Sequence, residues 1–598
     1  MPDNESSSNS NAPGNGANAS TGLEQNIKSA RRTLHHLTAI SLAGLIVGLI
    51  AAFATAGFVE LVLYLNDRLF ISASSRAGME AGELALITIA VLTIGGLIVG
   101  LILRFGVTQK VPLGPADTIY AVQLHERLPS FRSGLSSTVA ALLSLSCGAS
   151  VGQYGPLVYL GTLVGQISNR LPLGLPEIRN ITIACGVAAS ISTAFNAPLA
   201  ALIFTHEVIL RHYSLRMFTA VTVASACGYV VANVFFEHPA MFLVGIESQF
   251  RAIEFPLFAL EGLACGALAV VYLKTLNFNI DLSRRIRIPA PVKPMLAGFV
   301  VALVAIQVPE VLGAGQEVLR NTIPGYSYGA GALLLILVTK LLVTTVCIGF
   351  GFGGGVISPT LLIGALFGAL FALLIPDALL QSYSGISVYA ICGMVAVMSP
   401  VIGAPMTALL LVFELTRNYE VTIAAMVAVV FANLFASIWY GRSLYDQQLA
   451  ARGIDLSMGR EQAYLQHQSI SEYVTDCLPV VLDDASAGEV NAQMAARQTA
   501  SVVVVDQAQR FRGILLQQQL QDLNEQDGIA AIEFQSLPRF NTDTSVWQAM
   551  QVMRSYMGEA IAVVDGATGR YLGAVPEAVV IDAYLDASEK IRREEHGI

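Results

Sequence analysis

A break containing glycine and proline interrupts a long apolar region of the chain at residues 152–156, Gly-Gln-Tyr-Gly-Pro. Apolar runs extend on both sides of it, from about residue 36 to residue 439, and runs of this kind predict segments within a lipid bilayer. An unpaired backbone N–H or C=O group is costly in hydrocarbon, so irregular backbone at membrane depth must be buried in protein or line a wet cavity. The break therefore predicts a functional cavity.

The residues after this break predict a helix that begins inside the membrane. Leu157, Val158, Leu160 and Val164 continue the apolar pattern to about residue 169. The first N–H groups of a helix have no partner within the helix, and the helix dipole adds partial positive charge at that end. Such a helix start can bind an anion without any cationic side chain.

The composition supports a membrane protein. Of the 598 residues, 54% are hydrophobic and 13% are charged, whereas a soluble protein would carry about twice that charged fraction. The formal net charge of −9 predicts no surface for nucleic acid. The seven cysteines have no CxxC spacing and predict buried thiols. Without a nucleophile–base or metal constellation, the sequence favours transport over an enzyme.

A second set of apolar segments repeats the order of the first. A span at 134–149 leads to the first break, its helix, and an Ala-Pro helix start at 197–198. A span at 333–348 leads to a glycine-rich break at 349–359, its helix, and an Ala-Pro start at 404–405. Broken helices at matching places in two halves predict an inverted-repeat transporter or channel with its site near the bilayer midplane.

The composition also predicts the domain order. We expect a disordered tail with a short cytoplasmic helix (1–35), two membrane halves (36–240 and 250–447), a linker (448–468) and a soluble region (469–598). Lys28, Arg31 and Arg32 precede the first span, and basic residues there favour a cytoplasmic N-terminus. The prediction is a multi-pass protein of the plasma (inner) membrane, with both termini cytoplasmic.

The soluble region contains an internal repeat. Short β-branched runs at 501–505, 511–515, 561–565 and 571–575 form two strand–turn–strand units. An amphipathic helix precedes each unit, at about 485–497 and 545–556. This repeat predicts a tandem pair of α/β domains.

Together these motifs resemble the CLC family of chloride channels and chloride/proton antiporters, over about residues 36–446. The first break stands where the family has Gly-Arg-Glu-Gly-Pro, and residues 354–359 resemble its Gly-Gly-x-Phe-x-Pro. Residues 196–200 resemble its Ala-Pro-Leu-Ala helix start, and 312–315 and 443–445 fit as well. The tail resembles a pair of cystathionine-β-synthase (CBS) domains. The expected fold is an all-α polytopic CLC-type inverted repeat of broken helices, followed by a cytoplasmic α/β CBS-domain pair.

The resemblance implies a homodimer of the voltage-gated chloride channel family, with one anion pathway per subunit across the lipid bilayer. By position, the amides of Val356 and Ile357, with Ser358 beside them, and the hydroxyl of Tyr445 face a central anion. The amides around Tyr154 and Gly155 face an outer one. Helix ends and a neutral hydroxyl bind chloride loosely enough to release it, as conduction requires.

Two departures from the family pattern concern protons. The family's antiporters carry a glutamate at the position of Tyr154, and a phenol, with a reference pKa of ~10, stays neutral and is a poor proton shuttle. Their second, inner glutamate falls on Val208, while its neighbour Glu207 points about 100° away on a helix. The resemblance therefore implies a channel or uncoupled uniporter. The alternative is an antiporter with another proton route, using Glu207 for ion coupling.

A third departure concerns the anion. The inner serine of the family's Gly-Ser-Gly-x-Pro falls on Leu113, and a register shift of two residues past Gly114 puts Pro115 there instead. Neither residue carries a hydroxyl, so the central site loses one ligand. Chloride is the expected anion, and nitrate, bicarbonate or another small anion is the alternative.

The CBS region departs from the family's nucleotide-binding pattern as well. Nucleotide-binding members carry an acid that contacts the ribose, and Gln519 and Val579 stand at the two corresponding positions. We therefore expect no cofactor and favour a role in stabilising the dimer, with adenine-nucleotide binding as the alternative.

Overall fold

The computed structural model describes residues 15–124, 128–168, 178–236, 254–323, 328–376, 384–456, 459–521, 523–532, 538–556 and 558–596. The contacts among them form two compact units. The first unit runs to Gly441, apart from a short stretch after Thr118. The second unit comprises that stretch and the residues from Arg442 onward.

The first unit is helical, and its helices follow the order that the apolar runs predict. The helices of the first half are Asn15–Arg68, Ala73–Arg76, Ala81–Gly106, Pro115–Gln123, Phe131–Ser146, Tyr154–Ser168, Ile178–Phe195, Pro198–Phe204 and Leu215–Val234, with a π-helical turn at Thr205–Leu210. Those of the second half are Phe255–Arg285, Val292–Gln307, Gln316–Thr322, Ala330–Gly349, Ile357–Leu373, Ile386–Ile402, Pro405–Thr416 and Tyr419–Trp439.

The lengths of these helices are those of a multi-pass membrane protein. Within the described residues, seven helices are long and apolar enough to cross a bilayer. Five further apolar helices have only 10–17 residues, including those that begin at Pro198, Ile357 and Pro405. A helix needs about 20 apolar residues to span the hydrocarbon core, so these shorter helices must start or end within it.

The first helix extends further than the composition predicts. Residues 15–35, expected to be a disordered tail with a short helix, are helical and continuous with the first span. After Pro13 no proline interrupts the sequence before Arg68, so nothing in the local sequence stops the helix. The first fourteen residues of the predicted tail lie outside the described residues.

Glycine contacts at matching places show the repeat of the two halves. A Cβ atom added to Gly161 would lie 2.3 Å from the carbonyl oxygen of Gly186, and one added to Gly364 would lie 2.3 Å from that of Gly393. In each half, therefore, the helix after the break packs backbone to backbone against the next long helix. Small residues at helix contacts are the usual means of close packing in membranes.

The second unit is a pair of α/β domains with the same topology, which confirms the predicted tandem pair of α/β domains. In the first, β1 (Val480–Leu482) runs parallel to β2 (Ser501–Val505), which pairs antiparallel with β3 (Phe511–Leu516). In the second, β4 (Arg539–Asn541), β5 (Ala560–Val564) and β6 (Tyr571–Pro576) repeat this arrangement. The other helices of this unit are Leu444–Ala450, Arg460–His467, Ala487–Arg497, Val546–Met553 and Glu577–His596.

Local sequence accounts for the two helices that precede the strand pairs. Each begins with a capping box, formed by Ser486 with Glu489 in the first domain and by Ser545 with Gln548 in the second. In this motif the N-cap hydroxyl and the N3 side chain satisfy two otherwise unpaired backbone donors. The same caps at equivalent places indicate a duplicated unit.

Part of the segment predicted to be a linker belongs to the soluble core. Leu465, on the helix Arg460–His467, is fully buried and packs with Ile470, Val546 and Ile561. The composition of residues 448–468 indicates a linker because charged and polar residues are frequent there. The helix Arg460–His467 is held by this packing against the core of the second α/β domain.

Candidate anion site

The two breaks in the membrane unit are bonded to each other. The Gly152 N–H group donates to the Gly355 carbonyl at 2.7 Å, and the Gly355 N–H group donates to the Gly152 carbonyl at 2.7 Å. Each glycine stands two residues before a helix start, at Tyr154 or at Ile357. This glycine bridge therefore brings together the beginnings of two helices from the two halves.

Only glycine fits at the centre of the glycine bridge. A Cβ atom on Gly155 would lie 2.8 Å from the Gly355 Cα atom, and a Cβ atom on Gly355 would lie 2.7 Å from the Gly155 nitrogen. Both distances are shorter than real Cβ contacts allow, and the atoms met are backbone atoms that cannot turn away. The glycines of the two motifs are thus explained by close backbone approach.

The helix starts at the glycine bridge leave several amide groups unbonded. Within the described residues, no hydrogen bond is made by the N–H groups of Tyr154, Gly155, Val356, Ile357 and Ser358. The helix that begins at Ile357 has no capping side chain, and all five residues are buried. Two sets of buried backbone donors, each at the positive end of a helix, therefore face the junction.

The residues at the two helix starts carry two buried hydroxyl groups. The side chains of Tyr154 and Ser358 are 0% and 5% exposed, and neither hydroxyl has a hydrogen-bond partner among the residues described. The Ser358 Oγ atom would lie 3.0 Å from a Cβ atom on Gly152, so it is at the glycine bridge itself. The Tyr154 ring stacks on Phe195, with centroids 3.5 Å apart and planes 12° apart. Free amides and free hydroxyls together form a neutral donor set suited to an anion.

The amides of the third predicted segment are already bonded. The Leu113 N–H group donates to Ser137 Oγ, and the Gly114 N–H group donates to Asp117 Oδ2, both at 2.8 Å. The segment is nevertheless adjacent to the junction, because Pro115 Cδ would lie 3.8 Å from a Cβ atom on Gly155. Leu113 and Gly114 can contribute to the pathway by position, while their amides fix the loop.

Tyr445, which the sequence predicts to line the pathway, belongs to the second unit. It is buried, on the helix Leu444–Ala450, which Ser443 caps through the Asp446 N–H group. Its pore-facing role stays a prediction.

Glu207 and Glu414 cap each other's helices. The Glu207 carboxylate accepts hydrogen bonds from the Met406 and Thr407 N–H groups at 2.9 and 2.8 Å. The Glu414 carboxylate accepts from the Leu199 and Ala200 N–H groups at 2.8 and 2.7 Å. Each acid stands nine residues after its own proline and caps the residues that follow the other one. Both oxygens of Glu207 are engaged in this reciprocal cap.

The position of the inner proton glutamate has no polar group. Val208 is buried and apolar in the π-helical turn Thr205–Leu210. The same turn contains Glu207. A π-helical turn is wider than an α-helical one, so it changes the directions of the side chains on it.

The structure adds two buried ionisable residues that the sequence patterns did not assign. Glu261 is fully buried, and neither of its carboxylate oxygens has a hydrogen-bond partner within the described residues. Its Oε1 atom would lie 2.9 Å from a Cβ atom on Gly368. Lys340 is fully buried and donates to the Val311 and Gly313 carbonyls at 2.9 and 2.8 Å. The available signal was a single charge within an apolar run, which marks candidate functional residues in membranes.

The two CBS positions carry no acid for a ribose. The Gln519 side-chain oxygen accepts a hydrogen bond from the Leu516 N–H group at 3.0 Å. Val579 is half-buried against the core of the second domain. Both residues thus have structural contacts in this unit.

A membrane unit in which broken helices from two repeats meet at their N-termini defines an anion channel or transporter. The family model described as "Voltage gated chloride channel" matches residues 95–437. The chain belongs to this family, the CLC family, whose members are anion transporters and channels.

Named relatives include both kinds of protein. The chain is 30% identical over 420 residues to the ClcB-like chloride channel protein of Ralstonia nicotianae, covering 69% of this chain and 96% of the relative. It is 30% identical over 313 residues to the H(+)/Cl(-) exchange transporter ClcA of Vibrio cholerae, covering 51% of this chain and 67% of that protein.

Solved structures share the fold. A slow cyanobacterial Cl-/H+ antiporter matches with a TM-score of 0.63 at 22% identity, covering 69% of this chain and 97% of its own. A eukaryotic CLC transporter matches with a TM-score of 0.61 at 18% identity, covering 91% of this chain and 98% of its own. The predicted CLC fold is confirmed.

Proposed function

We propose that this protein is a chloride channel or uncoupled uniporter in which Tyr154 is a neutral outer gate. The observation that carries the proposal is the fully buried Tyr154 side chain at the start of a helix whose first amides, those of Tyr154 and Gly155, make no hydrogen bond with the described residues. A phenol can donate a hydrogen bond to an anion and can block a path with its ring. It does not exchange a proton at neutral pH, since its reference pKa is ~10.

The other candidate proton carriers on this route also favour uncoupled transport. Val208 offers no titratable group. Both oxygens of Glu207 accept hydrogen bonds from backbone donors at the start of the helix Pro405–Thr416. Releasing it to shuttle protons would leave the Met406 and Thr407 amides unsatisfied.

The test is chloride flux in proteoliposomes with simultaneous proton recording. We expect chloride to follow its electrochemical gradient, with a reversal potential set by chloride alone and no accompanying proton movement. Proton transport against its gradient, driven by chloride in a fixed ratio, would contradict an uncoupled pathway.

A second candidate function is proton-coupled exchange by a route through Glu261. The observation that favours it is a fully buried carboxyl group with neither oxygen hydrogen-bonded within the described part of the chain. The relatives named as exchangers give it further support. In this case Glu261→Gln would abolish proton movement and leave chloride flux intact, whereas an uncoupled protein would show no proton signal before or after the substitution.

The assembly and its membrane are part of the same proposal. We place the protein as a homodimer in a plasma (inner) membrane, with both termini cytoplasmic and Tyr445 lining the pathway. Bi-ionic reversal potentials with chloride, nitrate and bicarbonate would rank the anions, and we expect chloride to rank first. Cross-linking in membranes would give the subunit number, and a species no larger than a monomer would count against the dimer.

A further inference from the structure

The membrane helix Ala81–Gly106 carries an arginine at the end of its apolar run. Residues 84–103 contain no charged side chain, and a run of about this length spans the hydrocarbon core. Arg104 and Phe105 follow directly, and both side chains are exposed. The Arg104 guanidinium carbon lies 5.6 Å from the centroid of the Phe105 ring. Arg104 is therefore at the boundary between the hydrocarbon core and the lipid head groups.

A second basic segment follows another long membrane helix. Residues 284–287, at the end of that helix, contain three arginines, and we refer to them as the basic turn. Arg284 lies 3.6 Å from Asp281, the only acid close to it in sequence. Arg285 and Arg287 are exposed and form no ion pair with any residue that the structure describes. The basic turn thus contains two arginines whose charges are not neutralised by a neighbouring carboxylate.

Close helix packing brings Arg104 towards the basic turn. A Cβ atom on Gly96 would lie 2.4 Å from the Pro294 carbonyl oxygen, and one on Gly100 would lie 2.3 Å from that of Pro291. Residues four apart lie on one face of a helix, so Arg104 is the next member of this row. As the row advances along its own helix, its contacts move backward along the other segment, and the next step leads into the basic turn. Backbone packing therefore draws like charges together, which costs free energy unless an anion joins them.

The two packed helices expose apolar side chains next to these arginines, on the part of each helix that enters the membrane. Each of the following side chains is at least 40% exposed: Ile94, Ile98, Leu101 and Phe105 on the first helix, and Leu296, Phe299, Val300 and Leu303 on the helix Val292–Gln307. Such faces contact acyl chains in a bilayer. Cationic groups at the head-group level with apolar faces beneath them match the two parts of a phospholipid.

We infer that Arg104, Arg285 and Arg287 form a binding site for the head group of an anionic phospholipid. The planar guanidinium group donates two parallel hydrogen bonds to phosphate oxygens, and a negative head group offsets the repulsion among the three arginines. Clusters of basic residues directly beside a membrane helix attract anionic lipids in this way. The exposed apolar faces favour a lipid over a soluble phosphate, because they give its acyl chains a surface to pack on. The inference concerns the surrounding membrane and is independent of whether the anion pathway is coupled to protons.

The test measures lipid binding to the full-length protein in a neutral detergent by native mass spectrometry. Phosphatidylglycerol, which has a net negative head group, is compared with phosphatidylcholine, and we expect it to bind at least about tenfold more tightly. Arg104→Gln and Arg287→Gln should each weaken phosphatidylglycerol binding about fivefold. Arg284→Gln is the matched control, because this arginine lies in the same turn but beside Asp281, and its loss should be below about twofold. Glycerol 3-phosphate at about 1 mM should not displace the lipid, since it has no acyl chains.

Three results would overturn the lipid site. Equal affinity for the two lipids would show that the head-group charge is not recognised. An equal loss of affinity in Arg284→Gln would reduce the effect to diffuse surface charge, and displacement by glycerol 3-phosphate would indicate a soluble phosphate as the ligand. The unfolding temperature of each variant without added lipid controls for damage to the fold. Arg287→Gln changes an exposed residue of the turn, so it tests the site even where Arg104→Gln disturbs helix packing.

Discussion

Tyr154 combines a bulky ring with a neutral hydroxyl donor, whereas a glutamate at the same position would carry an acidic group. Its ring stacks on Phe195, and its hydroxyl is a neutral donor without a hydrogen-bond partner among the described residues. A carboxylate would compete with an anion for the free amides, whereas a phenol can share the site with one. The side chain can therefore obstruct the path and bind its ion without a change of charge.

Removing the Tyr154 ring should open the path. We expect Tyr154→Ala to raise chloride flux several-fold, because in the proposed function the ring obstructs the anion path. Tyr154→Phe keeps the ring and loses the hydroxyl, so it should stay near the unsubstituted flux or fall below it. Single-channel or ensemble flux recordings would measure both, and equal flux in Tyr154→Ala and the unsubstituted protein would rule out a gating ring.

Ser358 should contribute directly to anion affinity. Its hydroxyl is buried and unbonded, and a hydrogen bond to a charged group contributes about 1.5–3 kcal/mol. We expect Ser358→Ala to weaken chloride binding by at least about tenfold in calorimetric titration. Thr360→Val is the matched control two residues further along, because the Thr360 hydroxyl already donates to the Val356 carbonyl. Equal losses in both variants would indicate a packing effect.

At the scale of elements, the glycine bridge is the joint between the two halves. In each half, the bridging glycine stands two residues before the start of a helix. The two hydrogen bonds bring the backbones so close together that no side chain fits between them. The unbonded amides of the two helices face the junction because this joint holds their starts together. The bridge thus serves both the fold and the site.

A single added methyl group should disrupt this joint. Gly355→Ala would place Cβ 2.7 Å from the Gly155 nitrogen, and overpacking of a rigid contact costs about 1–3 kcal/mol or more. We expect a lower unfolding temperature in detergent and loss of flux. Gly331→Ala is the control, since its added Cβ meets nothing within 4 Å. Wild-type stability and flux in Gly355→Ala would contradict a close-packed joint.

The reciprocal caps give Glu207 a structural role that can be measured. Glu207→Gln keeps one acceptor oxygen but removes the charge, so we expect a loss of about 1–2 kcal/mol in stability, the usual range for a lost cap. Proton movement should be the same before and after the substitution. Glu83→Gln, on an exposed helix start, should cost less. A change in the proton-to-chloride ratio in Glu207→Gln would instead favour the coupled alternative.

Much of this arrangement follows from local sequence, and the rest does not. Glycine, proline and apolar spacing predict the breaks, the helix starts at Tyr154 and near Ile357, and the two strand–turn–strand units of the second unit, but not the strands β1 and β4 that complete its sheets. The bond between Gly152 and Gly355, the capping partners of Glu207, and the bonded amides of Leu113 and Gly114 depend on contacts between distant segments. Residue spacing within one segment does not contain that information. Only the three-dimensional structure therefore distinguishes the amides that are hydrogen-bonded from those that are not.

At the scale of the whole molecule, the soluble pair repeats its fold but not a nucleotide-binding chemistry. Gln519 accepts a backbone hydrogen bond, and Val579 packs into a core. Neither can accept the hydrogen bonds of a ribose as a carboxylate would. We expect the pair to stabilise the assembly and not to sense adenine nucleotides.

We therefore expect adenine nucleotides to leave the stability of the full-length protein unchanged. A ligand at 100 times its Kd stabilises the folded state by about 2.7 kcal/mol, which thermal unfolding detects readily. ATP, ADP and AMP at about 1 mM should each give no shift relative to a magnesium and ionic-strength control. A saturable rise in unfolding temperature with any of them would show that the CBS pair is a nucleotide site.

The crossed carboxylates also bear on how the protein is made. As the chain leaves the ribosome, the start of the Pro198 helix must wait for Glu414, more than two hundred residues later, before its Leu199 and Ala200 amides are satisfied. The earlier half enters the bilayer with that helix unfinished. The first half therefore cannot form all of its native hydrogen bonds until the second half has been synthesised. Until then, we expect the start of the Pro198 helix to stay conformationally flexible.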